Sequence, residues 1–321
     1  MITFTKIPTD FTPATDSLPF AIACDEPSDV ELLVVDAALG EVVGRKRLYG
    51  ITEAQGDIAP YVAPFDDVAP LAQQGSTIIP APVRQYYVQV GDLCSEPVSV
   101  SCNRVLPLAQ SVISTMGTER RIAHGECDEL RIISRPAVPV RAEVVTDEGY
   151  TLSIDYTSSP GYVTLLLSTA DLPATTRTAD VSIYCDEMEV ATLHYTFIRR
   201  FGEPCHVAWL SEVGSIERYT FPCIGQISRE ATRTECRSAT GEPFGVRNRT
   251  DVLMHLTSEI ESRSTIASLS GIISSPEVWM WHATEGWQRV EVLSNSSVVR
   301  SFGSPDRFEA DIRTKREEVA R

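Results

Sequence analysis

Val30-Glu31-Leu32-Leu33-Val34-Val35-Asp36-Ala37-Ala38-Leu39-Gly40-Glu41-Val42-Val43-Gly44-Arg45-Lys46-Arg47-Leu48-Tyr49 sets the fold class of this chain. Two runs rich in Val and Leu flank Ala38-Leu39-Gly40. Short β-branched runs around a Gly-containing break read as a β-hairpin. The pattern continues outward. Residues 2–7 alternate and stop at Pro8-Thr9-Asp10, and residues 18–24 form a second run. Residues 77–79, 84–90 and 98–102 follow. Pro60 cannot donate a backbone hydrogen bond, so residues 57–61 read as a strand or loop confined to a sheet edge. Strands at this spacing, without long helical periodicity, predict a β-sandwich over residues 1–105.

A second sandwich is expected over residues 106–200. Residues 108–115 read as a connector helix. Strands are expected at 129–133, 141–145, 150–156, 161–168, 181–185 and 190–197. Asp147-Glu148-Gly149 and Asp186-Glu187 supply turns, and the strongly apolar 161–168 is expected at the centre. Residues 201–321 differ. An aromatic β-rich segment, 206–222, surrounds Trp209, Tyr219 and Phe221, and a strand is expected at 252–260. A helix follows over 265–274, with Ile266, Leu269, Ile272 and Ile273 on one face. Pro276 ends it. Then come Trp279 and Trp281, a turn at Glu285-Gly286, a strand over 287–293 and a final charged strand. The fold class is therefore mainly β: two N-terminal β-sandwich-like domains, then a β-rich α+β domain with one short helix.

The formal net charge of −16 argues against nucleic acid and anionic membranes as partners. Only Lys6, Lys46 and Lys315 among the 28 basic residues are lysine. The N-terminus lacks the basic and apolar regions of a signal peptide, and no apolar run approaches the ~20 residues that span a bilayer. Synthesis in a cytoplasm is the expectation. Eight cysteines form no Cys-x-x-Cys pair, and several lie in apolar strands, where they read as reduced buried thiols.

No catalytic, cofactor or metal residue emerges. The five histidines are scattered, and Cys205 and His206 are strand neighbours that point to opposite faces. Glu126-x-Asp128-Glu129 reads either as a solvated turn or as a calcium site, without the spaced ligands of a known loop. Phosphate-loop and nucleophile-elbow motifs are missing from the sequence. The aromatic cluster stands out. The tryptophans read as core or interface packing, and Trp209, Trp279, Trp281, Trp287 and Arg289 are the candidates for a protein–protein interface. Stacking of the tryptophans on sugars is the competing reading, that of a carbohydrate-binding or adhesion module.

Trp209-Leu210-Ser211-Glu212-Val213-Gly214 through Tyr219-Thr220-Phe221 resembles a segment of structural proteins from tailed bacteriophages and prophages of Bacteroidales. So do Leu256-Thr257-Ser258-Glu259, the run from Ile272 to Trp279, and Gln288-Arg289-Val290-Glu291-Val292. Gly44-Arg45-Lys46-Arg47-Leu48-Tyr49 and Asp57-Ile58-Ala59-Pro60-Tyr61 extend the likeness to the N-terminal unit. The resemblance implies a virion component of the tail or neck, made in the host cytoplasm. It also implies partners that are other copies of the chain, in a homo-oligomeric ring, and other virion proteins. It carries over no catalytic residue.

Overall fold

The computed structural model describes residues 2–10, 12–13, 16–62, 69–81, 84–101, 110–134, 138–157, 162–198, 204–237, 240–241, 243–296, 307–314 and 317–320. The expected boundaries at 105/106 and 200/201 lie outside the described residues. The chain is mainly β, and its described residues are arranged in five sheets with one short α-helical segment.

The N-terminal sheet has seven strands. The quoted hairpin is present, but its strands are longer than the sequence suggested: Pro19–Asp36 pairs with Val42–Asp57. The separately expected runs 18–24 and 30–36 are thus largely two halves of one strand. Register shifts between Ala23 and Val30 bend it, as bulges do. One half pairs with Ile2–Lys6 and the other with Arg84–Val90. The two halves contribute Phe20, Ile22, Leu32 and Val34 to one core with Tyr86, Val88 and Val100. Asp57 ends the hairpin and accepts backbone hydrogen bonds from Leu18 and Ala59. A 3-10 turn, Ala59–Tyr61, then places Pro60 outside any strand, just past the edge strand Val42–Asp57, so of the two expected forms the loop is the one present.

The second sandwich has an outer sheet of five strands: Glu119–Ala123, Met188–Ile198, Thr178–Cys185, Val140–Thr146 and Thr151–Tyr156. It packs on a middle sheet of four: Thr77–Pro80, Tyr162–Ser168, Cys127–Ser134 and Gln110–Ile113. Two expectations are corrected. Residues 110–113 form a strand paired with Arg131–Ser134, where a connector helix was expected. Thr77–Pro80 joins this sheet beside Val163–Leu166, although the sequence grouped it with the first unit. Alternation alone could not assign it, because strand partners are chosen by tertiary packing.

Every residue of Cys127–Ser134 and of Tyr162–Ser168 is buried. One face of each strand meets the outer sheet through Leu130, Ile132, Val163 and Leu165. The other face of Cys127–Ser134 is covered by the C-terminal unit, which begins with a four-stranded tryptophan sheet: Ile216–Phe221, Cys205–Leu210, Val278–His282 and Gly286–Arg289. Helical residues Arg263–Leu269 and Gly271–Ser274 and a five-stranded sheet close its far side. Ser262 caps the helix by accepting a hydrogen bond from the Thr265 N–H. The result is a stack of layers: outer sheet, middle sheet, tryptophan sheet, then helix and last sheet.

Leu165 sits at the centre of this stack, fully buried. Leu165→Ala should cost about 2–5 kcal/mol of stability, measured as a shift in the denaturant midpoint. Thr151→Ala, on an exposed outer strand position, should change it by less than about 0.5 kcal/mol.

Candidate functional site

Between the middle sheet and the tryptophan sheet lies a buried seam of charges. The strand Cys127–Ser134 alternates Glu129 and Arg131 toward the seam with Leu130 and Ile132 toward the sandwich core. The strand Ile216–Phe221 presents Arg218 and Thr220 from the opposite side. Arg218 Nη2 donates to Glu129 Oε2 and, at 2.7 Å, to the Leu71 carbonyl. The Leu71 N–H donates to the same Glu129 oxygen at 3.0 Å. Trp287 Nε1 also donates to the Leu71 carbonyl, at 2.8 Å, while the Arg218 guanidinium lies 5.1 Å over the Trp287 ring. The segment leaving the first unit is thus clipped between the other two.

A second cluster adjoins the first. Arg120 Nη1 donates to Asp128 at 2.8 Å, and its Nη2 donates to Ser114 at 2.7 Å. The Tyr195 hydroxyl donates to Asp128 at 2.7 Å. Glu217 accepts from the Thr115 N–H at 2.7 Å and from Ser215 Oγ at 2.8 Å. Burial alone would push the Arg120 guanidinium down, but Asp128, Tyr195 and Glu217 hold it above the ordinary arginine value. Burial, with Asp128 beside it, pushes the Tyr195 phenol well up. Arg131 Nη1 donates to the Gly214 carbonyl at 2.8 Å.

Glu126 meets His206 Nδ1 at 3.0 Å and accepts from the Thr220 hydroxyl. Glu126, Asp128 and Glu129 are therefore buried, and none lies on a solvated turn. The turn reading is corrected: these carboxylates start a strand, and each is held by a cationic or hydroxyl partner. Among the described residues, no group of three or more His, Cys, Asp or Glu is arranged to hold a metal. The cavity that Arg120, Glu126, Asp128, His206 and Arg218 line has a volume of about 20 Å³, room for roughly one water.

Cys205 points away from His206, into the core beneath the helix, and burial pushes its thiol up to about 12. Tyr219 faces that side too and donates to Glu261 at 2.9 Å. Burial raises the Glu261 carboxyl above the usual glutamate value; Tyr219 and Arg121 offset part of the rise.

The tryptophans divide by strand alternation. Trp209, at 0% exposure, joins the core with Leu269 and Ile272. Gly271 passes directly over it, where a Cβ would stand 3.2 Å from the indole nitrogen. Trp279, 3% exposed, lies on the opposite face with Ala208, Leu210 and Ile216. These two indoles pack inside the chain, on the core side of the core-or-interface reading. Trp281 and Trp287 are half-buried cross-strand partners, edge to face at 5.3 Å. Arg289 is exposed and pairs with Glu277 at 2.8 Å. Sequence reasoning missed Arg120, Leu71 and Arg218. The available signal was charge inside apolar strands, as in Glu129-Leu130-Arg131-Ile132 and Glu217-Arg218-Tyr219.

No protein-family model and no curated protein matches the chain. Among solved structures it is similar to a chain of the complex of Dpr2 Ig1-Ig2 with DIP-Theta Ig1-Ig3, at 13% identity and TM-score 0.20, over 62% of this chain and 99% of that one. Native alpha-2-macroglobulin of E. coli gives 7% identity and TM-score 0.22, over 99% of this chain and 20% of that one. The Y1175G mutant of the Salmonella alpha-2-macroglobulin gives 8% and 0.22, over 99% and 21%. The chain spans about a fifth of the length of those macroglobulins.

Arg218→Ala should destabilise the protein by about 3–5 kcal/mol, because Glu129 stays buried without its cation. Calorimetric or denaturant unfolding measures this. The raised Glu261 carboxyl gives a pH dependence. Its contribution to stability is complete below the ordinary glutamate value of 4.5 and is lost as pH rises through the higher folded value. Glu261→Gln should therefore gain on the parent protein between acid and neutral pH in thermal melts.

Proposed function

We propose that the chain is a structural component of a tailed-phage virion, in the tail or neck, acting without catalysis through protein–protein contacts between copies and with other virion proteins. The carrying observation is where the phage-like residues fall. Trp209, Tyr219, Phe221, Leu256, Ile272 and Val278 all lie in the C-terminal core. These core residues carry the C-terminal part of the resemblance, while its N-terminal part, Gly44-Arg45-Lys46-Arg47-Leu48-Tyr49, is largely exposed.

The layered packing supports the same reading. A component of a tail or neck must transmit force without shearing between its domains. Directional charge pairs across the seam resist sliding, since each displaced pair leaves a buried charge exposed to an apolar neighbour. Arg289 is exposed and Trp281 and Trp287 are half-buried, so these three are the parts of the expected interface that remain accessible. No helix among the described residues is long and apolar enough to cross a membrane.

Mass spectrometry of purified virions from the phage or induced prophage that encodes the chain tests this. The chain should be present in many copies per particle. Intact particles without it would overturn the proposal. Glycan binding that Trp281→Ala abolishes in the folded protein would replace it with the carbohydrate-binding reading.

A further inference from the structure

Residues 71–81 lie in the chain between Val42–Asp57 and Arg84–Val90, two strands of the N-terminal sheet, yet they are bound by the rest of the molecule. Leu71 is held at the charged seam. The Cys127 thiol donates to the Gln74 carbonyl at 3.3 Å. The Ser76 N–H donates to Asp171 at 2.6 Å, and Ser76 Oγ accepts from the Ser168 N–H at 2.9 Å. Thr77–Pro80 then pairs along Val163–Leu166, and the Ala81 N–H donates to the Tyr162 carbonyl at 3.1 Å. The segment is a strap over the outer edge of the strand Tyr162–Ser168. It also crosses between cores. The N-terminal core draws on residues 2–62 and 86–100. Ile78 belongs to the core of the second sandwich, and Ala81 packs with Ile133 and Tyr162.

The strap is held mainly through its backbone and one serine hydroxyl. Of residues 71–81, Ile78 and Ala81 alone are buried. A short edge strand with two buried apolar side chains opens at lower free energy than the sheets around it. Opening leaves a receptor. The edge at Val163–Leu166 is bare, and Glu129, Asp171 and Trp287 stand ready for the polar groups of an incoming segment. An extended peptide adds to such an edge by main-chain pairing. The segment that matches these groups is the strap itself, and every copy of the chain carries one.

We propose that adjoining copies exchange straps: residues 71–81 of one copy fill the site of the next and bring their N-terminal sheet with them. This deepens the assembly role proposed above and rests on its premise that copies are held side by side. Exchange keeps the contacts of the strap, so it is a low-cost route to association. Its competitor is the strap of the same chain, whose tether gives it an effective concentration on the order of mM. Copies packed in a ring reach that concentration, and dilute copies do not. Donor and receiving site are different surfaces, so the contact is heterologous. It closes into a ring or propagates, according to the rotation between copies.

Disulfide trapping in the full chain tests the exchange, in a background where the exposed Cys94 and Cys236 are replaced by Cys94→Ser and Cys236→Ser. Ile79 and Thr164 are directly opposite each other, a cross-strand Cα separation of about 5.5 Å that a disulfide can bridge. Ile79→Cys with Thr164→Cys in one chain should close within that chain when dilute. Next, a chain with Ile79→Cys alone is mixed with a chain with Thr164→Cys alone, incubated and mildly oxidised. Well below mM the mixture should stay uncrosslinked, and near mM it should give covalent pairs on a non-reducing gel. Peptide mapping identifies the joined positions 79 and 164. Asp171→Ala removes the acceptor of the Ser76 N–H and should speed the appearance of these pairs roughly tenfold. Circular dichroism checks that each variant keeps its strand content. Failure of the mixture to crosslink near mM, while the double variant closes within its chain, would overturn the proposal. A double variant that forms no bond would remove the strap pairing itself and the proposal with it. Crosslinked pairs from a chain absent from virions would leave the exchange standing and remove the virion reading alone.

Discussion

The pairing of Arg218 with Glu129, deep between two sheets, is the constraint on which the rest of the arrangement depends. A lone buried charge costs several kcal/mol, and a matched pair is tolerated only with good geometry and satisfied neighbours. Here the neighbours are specific. Leu71 gives both its N–H and its carbonyl, and Trp287 adds a hydrogen bond and a ring face. A shift of one residue in either strand would reverse every side chain. Glu129 would then enter the Leu130–Ile132 core and Arg218 the Trp209 core. The charges thus fix register and the approach of the layers more firmly than apolar packing could.

The same logic explains why two strands of a sandwich are buried on both faces. An antiparallel sheet commonly keeps one face wet. The middle sheet instead packs on the outer sheet through Leu130, Ile132 and Leu165, and turns Glu129 and Arg131 to the C-terminal unit. The polar face remains polar in composition, and fixed partners replace its solvent at Glu129, Arg131 Nη1 and Arg218 Nη2, while Arg131 Nε and Arg218 Nε and Nη1 are buried without a hydrogen-bond partner. The cavity beside them has room for about one water, and the paired charges join two units of the chain.

Much of the β architecture was legible in the sequence. The expected strands at 141–145, 150–156 and 161–168 fall on Val140–Thr146, Thr151–Tyr156 and Tyr162–Ser168, and the aromatic segment 206–222 holds Cys205–Leu210 and Ile216–Phe221. Asp147-Glu148-Gly149 marked a turn where Gly149 takes a positive φ of 80°. The helix was readable from Ile266, Leu269 and Ile272, all of which are buried. Other features were hidden. The bent Pro19–Asp36 strand reads as two runs because its bulged middle is polar. The strand Gln110–Ile113 is short, and its partner decides its state. The seam was obscured for a different reason. A buried ion pair needs two residues distant in sequence, and Glu129 gives no sign that Arg218, 89 positions away, neutralises it. For Trp209 and Trp279 the sequence left core and interface open, because the same aromatic bulk serves either, and both are buried in the chain.

Native-state hydrogen exchange with increasing denaturant most directly tests the claim that the seam makes the second sandwich and the C-terminal unit one cooperative body. The amides of Cys127–Ser134 and Ile216–Phe221 should open at the same free energy and with the same denaturant slope. Opening of Ile216–Phe221 at clearly lower free energy, while Cys127–Ser134 stays protected, would contradict it.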